Sequence, residues 1–200
     1  MRRALTLVLA LSLLLALPAA AFSDVSGDAW YAQAVDYVQR KGFMNGVGGD
    51  SFAPEDTVTR GMLAAVLHRT AGSPFINVGL TFEDVLAGSW YGDSVLWCVG
   101  MGIVTGVDST HFLPDDPVTR EQVALMLWRR AGWPYPGQNA YFTDGQQINF
   151  WSQGGVDWAV RAGVVNGKPD GSFDPQGYAT RAEVAQMLMK YDRWQLSQGG

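Results

Sequence analysis

Asn166 to Glu183 reads N-G-K-P-D-G-S-F-D-P-Q-G-Y-A-T-R-A-E, and its parts recur twice upstream at nearly the same spacing. Arg181 lies 61 residues after Arg120, which lies 60 after Arg60, and each follows a threonine: Thr59, Thr119 and Thr180. Phe52, Phe112 and Phe173 stand eight residues before the arginines, Pro54, Pro114 and Pro175 six before, and Gly46, Gly106 and Gly167 fourteen before. A fixed period marks repeated structural units, each too small to bury a full core alone.

Outward from this stretch the copies share an upstream half. Phe22-Ser-Asp24, Phe82-Glu-Asp84 and Phe142-Thr-Asp144 each precede a tryptophan (Trp30, Trp90, Trp151), an apolar helical run and a glycine (Gly42, Gly102, Gly163). The third copy is one residue longer, between Gln146 and Phe150. In the first half of each unit, Ala34, Val35 and Val38, then Val95 and Cys98, then Val156, Ala159 and Val160 mark one apolar side at helical spacing. In the second half, Leu63, Val66 and Leu67 correspond to Val123, Met126 and Leu127 and to Val184, Met187 and Leu188. Such triplets predict a buried stripe on each second helix. The expectation is six principal helices in an all-α fold, in units spanning 22–77, 78–138 and 139–200.

Met1 to Ala21 carries Arg2 and Arg3, an apolar run from Leu5 to Leu17 and small residues before Phe22, the order of a secretory signal peptide. The run of 13 is short of the ~20 residues that a membrane span needs, so an uncleaved anchor is the weaker alternative. The 14 Lys and Arg, less Arg2 and Arg3, stand against 19 Asp and Glu and leave a formal charge of −7 on a mature chain. That balance argues against nucleic acid as a partner. Cys98 is the single cysteine, which excludes an internal disulfide framework; it falls where the other copies have Val38 and Ala159, as a small buried side chain would.

Each threonine of the Thr-Arg pair stands where its hydroxyl can cap the second helix. Glu183 and Gln122, three residues on, add capping boxes to copies three and two, while copy one has Met62. The arginine is the odd choice, since a cation in the first turn meets the positive end of the helix dipole. Two readings fit it: a salt bridge to Asp24, Asp84 or Asp144, or an anion site in which helix amides and a guanidinium together grip a carboxylate or phosphate.

The order F-x-D, Trp, Gly-loop, F-x-P and T-R-A-E resembles the S-layer homology domain, in three tandem copies across essentially the whole mature chain. The resemblance implies a pseudo-threefold assembly around a central bundle of the three second helices, with grooves between neighbouring units. It implies non-covalent, non-catalytic anchoring to a bacterial cell wall through secondary cell-wall polysaccharide, with Arg60, Arg120 and Arg181 recognising an acidic, pyruvylated terminal sugar. The expected location is therefore the cell wall and surface, with no membrane span after signal cleavage. Copy one departs furthest from the signature, Thr59-Arg-Gly-Met62, and the groove using Arg60 is expected to be the weakest.

Other chemistry is poorly supported. His68 and His111 lack the Cys or His partners of a metal site. The pairs Glu55-Asp56 and Asp115-Asp116 become Gln176-Gly177 in copy three, which disfavours a glycosidase, and the loop acids Asp50, Asp108 and Asp170 lack the dense ligands of a calcium loop. No metal or cofactor is expected. Trp30 and Trp90 suit either the core or a sugar face. The competing function is a structural protein that packs against other cell-envelope proteins without binding glycan.

Overall fold

A computed structural model describes residues 22–76, 79, 82–86, 88–138 and 140–199; the expected signal peptide lies outside the described residues. Six α-helices are present, two per unit: α1 (Ala32–Arg40) and α2 (Arg60–Thr70), α3 (Gly92–Gly100) and α4 (Arg120–Arg130), α5 (Gln153–Arg161) and α6 (Arg181–Gln198). Among the described residues there is no strand, only isolated bridges, so the fold is all-α. None of the described helices is long and apolar enough to cross a membrane.

The first helices stop where the sequence places a glycine. Gly42, Gly102 and Gly163 follow α1, α3 and α5 with φ of 70°, 68° and 70°, a left-handed turn that side chains resist. The second helices begin at the Thr-Arg pair. Thr59 Oγ1 accepts from Met62 N, and Thr180 and Glu183 form a reciprocal capping box. The α2 and α4 helices end before Gly72 and Gly132, at φ 79° and 84°, whereas copy three has Asp192 and Arg193 in that region. With no glycine to stop it, α6 runs on for 18 residues and lays Trp194 against Trp158 at 5.1 Å.

The F-x-D aspartates form no ion pair with the arginines, contrary to the salt-bridge reading. Each instead holds the F-x-P turn: Asp24 accepts from the amides of Phe52 and Ala53, Asp84 from Phe112 and Leu113, and Asp144 from Phe173 and Asp174. The middle residue of each turn, Ala53, Leu113 or Asp174, has φ between 54° and 57°, a strained conformation that the carboxylate pins. The phenylalanine of F-x-D packs on that of F-x-P, with centroids 5.2–5.7 Å apart in the three units. This explains the glycine fourteen residues before each arginine: a Cβ at Gly46 would stand 2.6 Å from Ser51 O and 2.7 Å from the Phe22 ring.

The units close on one another in a ring. Val58 N donates to Ala179 O, Ala179 N to Val118 O, and Val118 N to Val58 O, at 2.9–3.0 Å. The helices follow the same rotation, α2 on α3, α4 on α5 and α6 on α1, so each second helix lies against the first helix of the next unit. One continuous core results, with Phe52, Phe112, Phe173, Trp158 and Tyr191 among its largest fully buried side chains. Cys98 belongs to that core and burial pushes its thiol up to about 12, so it behaves as the small apolar residue its repeat position suggests. His68 is likewise a packing residue, set between Ser94 Oγ and Pro74 O and stacked on Trp97.

Candidate functional site

The first-turn amides of the second helices point into the neighbouring unit. Arg60 N, Arg120 N and Arg181 N donate to Asp116 O, Gly177 O and Asp56 O at 2.8–2.9 Å. The next amides, of Gly61, Glu121 and Ala182, donate to Pro114 O, Pro175 O and Pro54 O. These amides are therefore engaged and cannot grip an anion, which removes the helix half of the anion site read from the sequence. Their carbonyl partners also offset the positive end of the dipole, and this is what lets a cation stand in the first turn.

The three guanidinium groups sit in equivalent cradles. Arg60 Nε donates to Phe112 O at 2.7 Å, Arg120 Nε to Phe173 O at 2.8 Å and Arg181 Nε to Phe52 O at 2.7 Å, each lying over the ring of that phenylalanine. Arg60 and Arg181 add a bond from Nη2 to a loop carbonyl, Thr105 O and Asn45 O. Arg120 departs from this pattern and pairs through Nη1 with Glu183 Oε1. All three are buried, 4–8% exposed, and burial holds Arg60 and Arg181 below the ordinary arginine range without discharging them. Fork positions left free by these bonds are the donors available to a ligand.

Two of the arginines open onto cavities, and both cavities are assembled from all three units. The first, about 360 Å³, joins Arg120 of the second unit, the 164–169 loop and α6 of the third, and Trp30 of the first. The second, about 520 Å³, joins Arg181 of the third unit, the 44–47 loop and α2 of the first, and Trp90 of the second. Trp30 and Trp90 are each 62% exposed, so they form groove rims instead of core, and each stands edge-on to the next tyrosine. Arg60 reaches the equivalent loop of the second unit through Thr105 O, and Trp151, at the repeat position of Trp30 and Trp90, is 49% exposed.

A second cation along the helix wall escaped the sequence reading. Lys190 lines the Arg120 groove and Arg69 the Arg181 groove; Arg129 holds the same repeat position in α4. Burial lowers the Lys190 ammonium, and with the Asn166 amide oriented to satisfy its neighbours its oxygen accepts from Lys190 Nζ at 3.1 Å. The signal was present, since position ten of every second helix is basic, but it reads as an ordinary solvated helix end.

The Thr-Arg motifs are shared between grooves. The arginine and the fourth residue of one Thr-Arg motif lie in different grooves: Glu183 faces Arg120, and Met62 lines the groove of Arg181. The copy-one motif Thr59-Arg-Gly-Met62 thus contributes its fourth residue to the Arg181 groove.

Residues 21–61, 81–124 and 141–185 match the S-layer homology domain. The chain is also similar to an amylopullulanase of Thermoanaerobacterium thermosulfurigenes, 29% identical over 172 residues, which are 84% of this chain and 9% of the relative. It is 28% identical over 167 residues to the surface-layer 125 kDa protein of Lysinibacillus sphaericus, covering 82% of this chain and 14% of the relative. With the cellulosome-anchoring protein of Acetivibrio thermocellus it shares 24% identity over 153 residues, 73% of this chain and 34% of the relative. The chain thus spans a small part of the length of these relatives.

Proposed function

The chain belongs to the S-layer homology domain family, and from that premise we propose that it holds itself to a bacterial cell wall by binding secondary cell-wall polysaccharide. The ligand is an acidic terminal sugar, a pyruvylated one fitting the donors at hand, and the inter-unit grooves carrying Arg60, Arg120 and Arg181 are where it is met. The observation that carries this reading is the pairing, in one cavity, of a buried arginine with free fork donors and an exposed tryptophan. The guanidinium suits a carboxylate and the indole the apolar face of a pyranose ring. Relatives named as surface-layer and cellulosome-anchoring proteins support a location at the cell surface, where other envelope proteins are available partners. No catalytic step is assigned to this module; enzymes among the relatives match it over a small fraction of their length.

Sedimentation with cell-wall sacculi tests the proposal. The chain is expected to pellet with intact sacculi and to stay in solution once the secondary polysaccharide has been extracted. Arg120→Ala with Arg181→Ala should abolish pelleting, and Trp30→Ala with Trp90→Ala, whose side chains are exposed and leave the core intact, should weaken it at least tenfold, on the scale of ~1–3 kcal/mol for an aromatic stacking contact. Pelleting that survives extraction and both pairs of substitutions would instead point to a protein or peptidoglycan partner.

A further inference from the structure

Resting on the reading of the grooves as anion sites, we propose that the Arg181 groove selects a doubly charged substituent, a phosphate monoester on a sugar, whereas the Arg120 groove takes a singly charged carboxylate. The two share a plan and differ in charge. In the Arg120 groove the wall carries Glu183, and its carboxylate is already paired with Arg120. Lys168, in the same wall, is tied to Asp174. That leaves Lys190 as the cation without an acidic partner among the described residues, a net of one positive charge for an incoming anion.

In the Arg181 groove the place of Glu183 is taken by Met62, and no acidic residue lines the cavity. Arg181 and Arg69 both open onto it. The carboxylates that influence Arg181, Asp56 and Asp24, act from outside the wall: Asp56 is exposed, and Asp24 is committed to the Phe52 and Ala53 amides. Two guanidinium groups facing one void whose wall holds no carboxylate attract a dianion more than a monoanion, because each added unit of ligand charge meets the same net positive field. In the other groove the same dianion meets Glu183 at close range. What reads in the sequence as a decayed motif, Thr59-Arg-Gly-Met62, is in this arrangement the substitution that removes the competing carboxylate.

Each groove carries its own reporter, Trp90 for Arg181 and Trp30 for Arg120, so the indole N–H resonances resolve the two in one titration. The probes are glucose 6-phosphate, a dianion at pH 8, and glucuronate, a monoanion. Glucose 6-phosphate is expected to move the Trp90 signal at a concentration about tenfold below that needed for Trp30, the size of one added ion pair in a partly buried site. Glucuronate, with half the charge, should favour Trp90 by only about threefold. Met62→Glu, which also completes a capping box on α2, should erase the Trp90 preference for the phosphate and leave Trp30 unchanged. Glu183→Gln, which retains the cap as Gln122 does in α4, should raise the Trp30 response to the phosphate. If both probes move both indoles alike, or Met62→Glu changes nothing at Trp90, the charge selection fails and the anion-groove reading stands. If neither probe moves any indole, both fall together.

Discussion

Asp24 illustrates how a motif residue acts through the backbone. The Phe52 amide and the Ser51 hydroxyl, with the Ala53 amide, hold its carboxyl at about 2. Asp84 is also lowered: burial opposes the shift, but the Phe112 and Leu113 amides outweigh it. A carboxylate depressed in the folded state stabilises fully above its unfolded value of 3.8, and that contribution disappears as pH falls through about 2. The melting temperature of the chain is therefore expected to drop between pH 4 and pH 2, and Asp24→Asn should lower it at pH 7 while flattening the acid limb. Differential scanning calorimetry across that range checks both. The sequence made these aspartates visible as repeated positions but not their partners. Opposite charge suggested the arginines; the actual donors are backbone amides, which no side-chain pattern reveals.

Among the elements, α4 starts differently from its two counterparts. Its second residue is Glu121, 1% exposed, where α2 has Gly61 and α6 has Ala182. The buried carboxylate accepts from Asn149 N and Nδ2, Ser152 Oγ and Gln176 Nε2. Asn149 belongs to the segment that makes copy three one residue longer, and Gln176 to the pair that replaces the acids of the other copies, so three irregularities of the repeat meet at one group. Glu121→Ala should cost about 1–3 kcal/mol, because it empties a buried position and removes at once the acceptor shared by Ser152, Asn149 and Gln176. Urea denaturation would register this as a lower midpoint with little change in slope. Helix positions were legible because apolar spacing and terminal glycines are local signals. The link between Glu121 and Asn149 was not, since it joins positions 28 residues apart across a unit boundary.

At the scale of the whole molecule, the period announced three units but not which faces which. Facing is decided by hydrogen bonds such as Val58 N to Ala179 O, between backbone atoms that carry no signature in the sequence. The resemblance places grooves between units, but which motif residue enters which groove follows only from that facing. Because the Arg120 and Arg181 grooves each draw on all three units, removal of residues 139–200 deletes Arg181 from one and the loop and helix wall from the other. It also opens the ring. Wall binding by the truncated chain is expected to vanish entirely, not to fall by a third, and its thermal transition to broaden. Sacculus sedimentation alongside circular dichroism would read both.

If the chain anchors to a wall as proposed, a ring of this kind is a joint under load. The first and second units, like the second and third, are continuous through the chain, whereas the third meets the first only through non-covalent contacts: Arg181 and Ala182 on Asp56, Pro54, Phe52 and Asn45, and α6 against α1. Tension drawn along the chain therefore concentrates on that seam. The Arg181 groove straddles it, with the arginine on one side and the 44–47 loop on the other. On the proposed reading, a glycan seated there would act as a rivet, so that binding the wall would reinforce the seam against a pull along the chain.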